Sequence, residues 1–228
     1  MSDTEAAERR ATIEAYEAER TAIRRDIHKH PEMAYEENRT ADIVARNLEA
    51  WGIEVDRGLG KTGVVGTLRR GDSNRAIGLR ADMDALYIHE KNTFEHKSVH
   101  EGQMHACGHD GHTTMLLGAA RYLAESDEFN GTLHFIFQPA EEGEAGAKAM
   151  IEDGLFEKFD RATVWGMHNW PGMEEGRIGV HEGACMAAAD TFDITITGSG
   201  GHAAQPHLTN DPIPCGAALV QALQTIVS

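Results

Sequence analysis

Residues 132–151 read Thr132-Leu133-His134-Phe135-Ile136-Phe137-Gln138-Pro139-Ala140-Glu141-Glu142-Gly143-Glu144-Ala145-Gly146-Ala147-Lys148-Ala149-Met150-Ile151. A short apolar run stopped by Pro and Gly, then an Ala-rich helical pattern, reads as one strand and the helix after it. The same grammar recurs on both sides. Residues 63–68, 76–80, 163–167 and 177–180 are β-type runs, and residues 112–124 carry a helical stripe. Strands alternating with helices predict an α/β fold built on a mixed, mostly parallel sheet flanked by helices. Ahead of the sheet, residues 5–29 predict one helix closed by Pro31, and residues 40–50 a second that stops at Trp51-Gly52. From Asp190 the pattern changes. Phe192, Ile194 and Ile196 alternate with polar residues, a Gly-Ser-Gly-Gly turn follows, and residues 213–227 predict a helix. The expected division is therefore a sheet domain over 1–186 and the beginning of an α+β domain over 187–228.

With 228 residues, 41% of them hydrophobic, the chain can bury a core. Its longest apolar runs fall far short of a membrane span, and its charged start has no apolar segment behind it. A cytoplasmic protein is expected. The formal charge of −16 argues against nucleic acid and against anionic membranes, since both recruit basic surfaces. Three cysteines, Cys107, Cys185 and Cys215, are an odd number at unrelated spacings, which points to a reducing compartment.

Chemistry concentrates in His105-Ala106-Cys107-Gly108-His109-Asp110-Gly111-His112. Folding alone gives no reason for three histidines, a cysteine and an aspartate within eight residues. Thiolate sulfur and imidazole nitrogen are the donors that borderline first-row metals prefer. The chain contains no C-x-x-C, so a closed Cys-rich zinc site is excluded and the remaining ligands must be His or carboxylate.

In open α/β sheets ligands collect where strands end. Three strand ends are polar: Asp82-Met83-Asp84, then Gln138 through Gly143, then His168-Asn169-Trp170-Pro171. At i, i+2 in extended chain, Asp82 and Asp84 point the same way. Of the adjacent pair Glu141 and Glu142, one carboxylate can bind a cation while the other handles a proton. Taken singly these residues carry blander readings. Glu141, Glu142 and Glu144 suit an acidic helix start, Asp82 and Asp84 a loop cap, and His168 a core or capping histidine.

Taken together, His30-Pro31-Glu32, residues 79–86, 104–112 and 138–143, Gly166-Met167-His168-Asn169 and residues 200–206 occur in an order that resembles the aminoacylase and hippurate-hydrolase group of dinuclear metallo-amidohydrolases. The resemblance covers most of the chain, and Tyr87 departs from it by standing where many relatives have Pro. It implies Cys107, His109, Glu142 and His168 as metal ligands, Glu141 as general base, and Asp84 as supporting carboxylate. Two divalent ions are implied, Mn or Zn foremost, with Co or Ni also compatible. The implied reaction splits the amide of an N-acyl amino acid, with a dipeptidase or carboxypeptidase on the same scaffold as the competing reading. Residues 187–228 would begin an inserted lid and dimerisation domain, giving a homodimer or homotetramer. There His202 would donate to the oxyanion of a partner subunit's site; by residue type alone it is a turn histidine. The amphipathic pattern running to Ser228 reads as a truncation. The resemblance would then leave residues 1–228 without a further histidine ligand, as a module that binds metal or dimerises without turnover.

Overall fold

A computed structural model describes residues 2–126, 128–161, 163–188 and 190–226. It divides into two compact units, Met1–Met173 and Glu174–Ser228. No helix among the described residues is long and apolar enough to cross a membrane.

The first unit is built on a five-stranded sheet. Its elements run α1 (Asp3–Glu14), α2 (Glu17–Lys29), α3 (Asn38–Ala50), β1 (Glu54–Leu59), β2 (Gly63–Arg70), β3 (Ala76–Asp82), α4 (His109–Glu125), β4 (Gly131–Gln138), α5 (Gly146–Glu152), α6 (Leu155–Lys158) and β5 (Thr163–Gly166). Strand order is β1-β2-β4-β3-β5. β3 lies parallel to β4 and to β5, while β2 runs antiparallel to β1 and β4. The expected mixed sheet is therefore present, half parallel by pairing, with the antiparallel share coming from the β1–β2 hairpin.

Period-two alternation sorts the sheet's side chains onto two covered faces. Val64, Phe135 and Phe137 point to a layer with Val44 and Leu48 of α3 and Leu116 and Leu117 of α4. Val65 and Ile136 point the other way, onto Met150, Leu155 and Phe159. Covering on both faces is why β4 is apolar without alternation: all eight of its residues are buried.

Four local expectations are corrected. The single helix over 5–29 is two, because the chain breaks at Ala15-Tyr16 to seat Tyr16 against α4. The Tyr16 hydroxyl donates to Glu125, the Arg121 guanidinium lies 3.9 Å from its ring centre, and Arg20 donates to the Ile13 carbonyl beside the break. β1 was absent from the expectation, since Glu54, Asp56 and Arg57 hide the period of an edge strand. Residues 177–180 and 192–196, expected as strands, belong to no ladder among the described residues; alternation marks a strand but does not supply its partner. The second unit instead holds a bridge between Ser199 and Asn210, a 3-10 turn at Pro206–Leu208 and α7 (Pro212–Gln224). The expected helix is α7, and Val227 at its predicted end lies outside the described residues.

Candidate metal centre

Three chain segments deliver the site, each from the C-terminal end of a parallel strand, as the sheet topology requires. β3 ends in Asp82 and leads to Asp84. β4 ends in Gln138 and leads to Glu141 and Glu142. β5 leads to His168 and Asn169. The fourth contribution is the turn into α4, where Gly108 takes φ +96° ahead of His109. A Cβ there would stand 2.3 Å from Asn169 Oδ1, so only glycine lets this turn close against the β5 loop.

The ligand atoms of Cys107, His109 and His168 lie within 4.8 Å of one another, and so do those of His109, Glu141 and Glu142. His109 is the member common to both groups. Its Nδ1 faces the Asp84 carbonyl at 2.9 Å and Asp84 Oδ1 at 3.1 Å, which places the ring hydrogen on Nδ1 and leaves the Nε2 lone pair free. Around that Nε2 stand Asp82 Oδ2 at 3.7 Å, Glu142 Oε1 at 3.8 Å and Glu141 Oε2 at 3.9 Å. His168 is oriented likewise: Nδ1 meets the Asn169 carbonyl at 2.7 Å and Nε2 meets Cys107 Sγ at 3.3 Å.

Two buried atoms in this group lack any hydrogen-bond partner, His109 Nε2 and Glu142 Oε1. Buried polar atoms are rarely left so. A buried ring nitrogen and a buried carboxylate oxygen that face each other across 3.8 Å without a hydrogen bond leave a gap that suits a cation. The electrostatics agree. Burial, then the Glu142 and Glu141 carboxylates and Asp82, push the Cys107 thiol up to about 12, so the cluster carries excess negative charge that a divalent cation would balance, making the thiolate favourable. Burial alone would lower the pKa of His109, but the Asp84 hydrogen bond and the charges of Asp82, Asp84 and Glu142 outweigh it and raise it. Asp84 is drawn down against its burial by His109 and by the backbone N–H groups of Glu142 and Glu141. The donor set of sulfur, imidazole and carboxylate fits a first-row divalent metal.

Cys107, His109, Glu141, Glu142 and His168 thus converge, and Asp84 supports the convergence by accepting the Glu142 N–H at 2.9 Å with its other oxygen. His202 lies in the second unit, exposed, with Nδ1 accepting the Ala204 N–H at 3.1 Å. Sequence reasoning left out a second line of support. Asp82 meets His112 Nδ1 at 2.6 Å and accepts from Arg80 at 2.7 Å, while His112 Nε2 accepts the Asn169 N–H at 3.0 Å. Burial would raise Asp82, yet His112, His109 and Arg80 hold it down to about 2. The i, i+2 spacing of Asp82 and Asp84 was the available signal, since both carboxylates address the two nitrogens of His109.

The chain is similar to known proteins along most of its length. The pattern of peptidase family M20/M25/M40 matches residues 78–228. A hippurate hydrolase of Campylobacter jejuni is 53% identical over 206 residues, 90% of this chain and 54% of the relative. An N-acyl-L-amino acid amidohydrolase of Geobacillus stearothermophilus is 46% identical over 210 residues, 91% of this chain and 56% of the relative. Among solved structures, the Bacillus subtilis YXEP protein, described as a dinuclear metal binding peptidase from the M20 family, superposes with a TM-score of 0.71 at 40% identity, over 75% of this chain and 48% of that one. The chain spans about half the length of these relatives.

Proposed function

The chain belongs to peptidase family M20/M25/M40, and on that footing we propose that its site hydrolyses the amide bond of N-acyl amino acids, giving a carboxylic acid and an amino acid. The observation that carries the proposal is the pair of orphaned buried atoms, His109 Nε2 and Glu142 Oε1, within one cluster with Cys107, His168 and Glu141. Cys107, His109, Glu142 and His168 would hold two divalent ions, Mn or Zn, which would supply Lewis acidity toward the scissile carbonyl and a lowered pKa for water.

The protein's own residues do the remainder. Asp84 fixes the ring of His109 and the backbone of Glu142 at once, so one buried carboxylate aims two ligands. Glu141 is the more open of the two glutamates, its side chain 40% exposed against 23% for Glu142. That openness supports Glu141 as the residue that takes a proton from the attacking water and passes it to the departing nitrogen. His202 donates a hydrogen bond to the oxyanion. Residues 187–228 begin a lid through which the protein forms a homodimer or homotetramer. None of the three cysteines forms a disulfide, which suits a reducing cytoplasm.

The test, made on the protein at its full length, is hydrolysis of hippurate and a panel of other N-acyl amino acids, with Mn or Zn supplied and with chelator. Metal-dependent release of free amino acid is expected. Glu141→Gln should retain metal and lose most turnover, while Glu142→Gln should lose metal first. Cleavage of dipeptides but of no N-acyl amino acid would replace this reading with the peptidase one.

A further inference from the structure

Residues 30–40 read His-Pro-Glu-Met-Ala-Tyr-Glu-Glu-Asn-Arg-Thr, and nothing in the metal cluster uses them. Within this segment Glu37 is completely buried. It stands at the N-cap of α3 yet makes no side-chain bond to that helix. Among the described residues no Lys, Arg or His forms an ion pair with it. A buried carboxylate without a cation is costly, so its hydrogen bonds must matter to the fold or to the site.

One of its two bonds leads to the site and the other anchors it to the β1–β2 turn. Glu37 Oε1 accepts the Ala140 N–H at 2.8 Å, and Oε2 accepts the Thr62 hydroxyl at 2.5 Å. Ala140 is a non-glycine residue held at φ +51°, in the left-handed region that L side chains disfavour. The residues immediately after it are Glu141 and Glu142. The far end of the turn is clamped as well: Gly146 N–H donates to the Ala140 carbonyl at 2.9 Å, and a Cβ on Gly146 would stand 1.8 Å from the Pro139 oxygen. The same loop touches the turn again through Tyr35, whose hydroxyl donates to the Glu144 carbonyl at 2.7 Å. It reaches the other carboxylate turn through the Glu32 carbonyl, which accepts the Ala85 N–H at 2.9 Å beside Asp84.

We infer that Glu37 is a positioning residue for the Glu141–Glu142 pair. By gripping the Ala140 N–H it keeps the backbone in its strained conformation, so that Glu142 faces His109 Nε2 and Glu141 stays free for proton transfer. The inference rests on the reading of Glu142 as a metal ligand and Glu141 as a base. Reach, not charge, is what the role needs. Glutamine preserves reach: its oxygen accepts from Ala140 and its amide group donates to the Thr62 hydroxyl, which can also accept. Aspartate preserves the charge but is one methylene short of spanning Ala140 and Thr62.

The decisive experiment compares Glu37→Gln with Glu37→Asp by Mn titration calorimetry and by steady-state hydrolysis of hippurate. The expected result is Glu37→Gln within about threefold of wild type in metal affinity and kcat. Glu37→Asp should bind metal about 10-fold to 100-fold more weakly and turn over about 10²-fold more slowly, with KM little changed. A Glu37→Gln variant as impaired as Glu37→Asp, or a Glu37→Asp variant equal to wild type, overturns the inference. Metal affinity reads the placement of Glu142 without any turnover. If the wild type binds Mn but cleaves no N-acyl amino acid, the proposed function fails while the titration still decides the role of Glu37.

Discussion

Replacing Asp84 with Asn tests how the site is aimed, because the change keeps size and polarity and alters one donor–acceptor relation. Asp84 is about as buried as a residue can be, 1% exposed, and both of its oxygens are acceptors: Oδ1 from His109 Nδ1 at 3.1 Å and Oδ2 from the Glu142 N–H at 2.9 Å. An amide offers one acceptor and one donor group. Whichever way Asn turns, its NH2 confronts an N–H in a fully buried space. Leaving a buried donor unsatisfied costs about 1–3 kcal/mol, and at about 1.4 kcal/mol per decade the middle of that range is about 30-fold in an equilibrium constant. The Asp84 carbonyl still holds His109 Nδ1 at 2.9 Å, so the loss should fall mainly on the backbone of Glu142. Metal affinity of Asp84→Asn measured by titration calorimetry should therefore drop about 30-fold, with the far-ultraviolet dichroism of wild type. Wild-type affinity and wild-type turnover in the variant would refute the claim that Asp84 places the ligands.

Three further outcomes are expected. His202→Ala should leave metal content unchanged and lower kcat by about 10²-fold, the usual loss for one oxyanion donor; unchanged turnover would return His202 to a turn role. Phe137→Ala, at a fully buried position in the central strand, should cost about 3–5 kcal/mol in urea unfolding, while Ile151→Ala, on the exposed side of α5, should stay within about 0.5 kcal/mol. The third outcome concerns pH. The Asp110 hydrogen bond at 3.1 Å, opposed by burial and helped by Glu90 at 3.2 Å, raises the pKa of His28 above 6.5. A raised folded pKa means that this stabilisation is complete below about 6.5 and is lost as pH rises through the folded value. Wild-type urea midpoints should thus fall between pH 6 and pH 9, by a smaller margin in His28→Gln, and equal slopes in the two proteins would remove His28 from the account.

Local pattern carried a large part of this molecule. The apolar run at β4, the helical stripe of α4 and the glycine stop after α3 are decided by neighbours along the chain, so they are legible without coordinates. The members of the candidate cluster could be named for the same reason. Cys107 and His109 stand two residues apart, and Glu141 and Glu142 are adjacent, so residue type and spacing already restrict the chemistry. Tertiary structure decided whatever depends on groups distant in sequence. Residues 192–196 have the alternation of a strand and no ladder partner among the described residues, while β1 has poor alternation and pairs with β2. The break at Tyr16 exists because Glu125 and Arg121, more than a hundred residues away, bind its side chain. The Asp82–His112–Asn169 line and the Glu37 grip on Ala140 are likewise hydrogen bonds across the fold. A carboxylate in the sequence reads as surface or cap until its partners are known. Only the packed chain shows which carboxylates are buried and what each of their oxygens holds, because burial and hydrogen-bond geometry are properties of the assembled sheet and not of any segment of it.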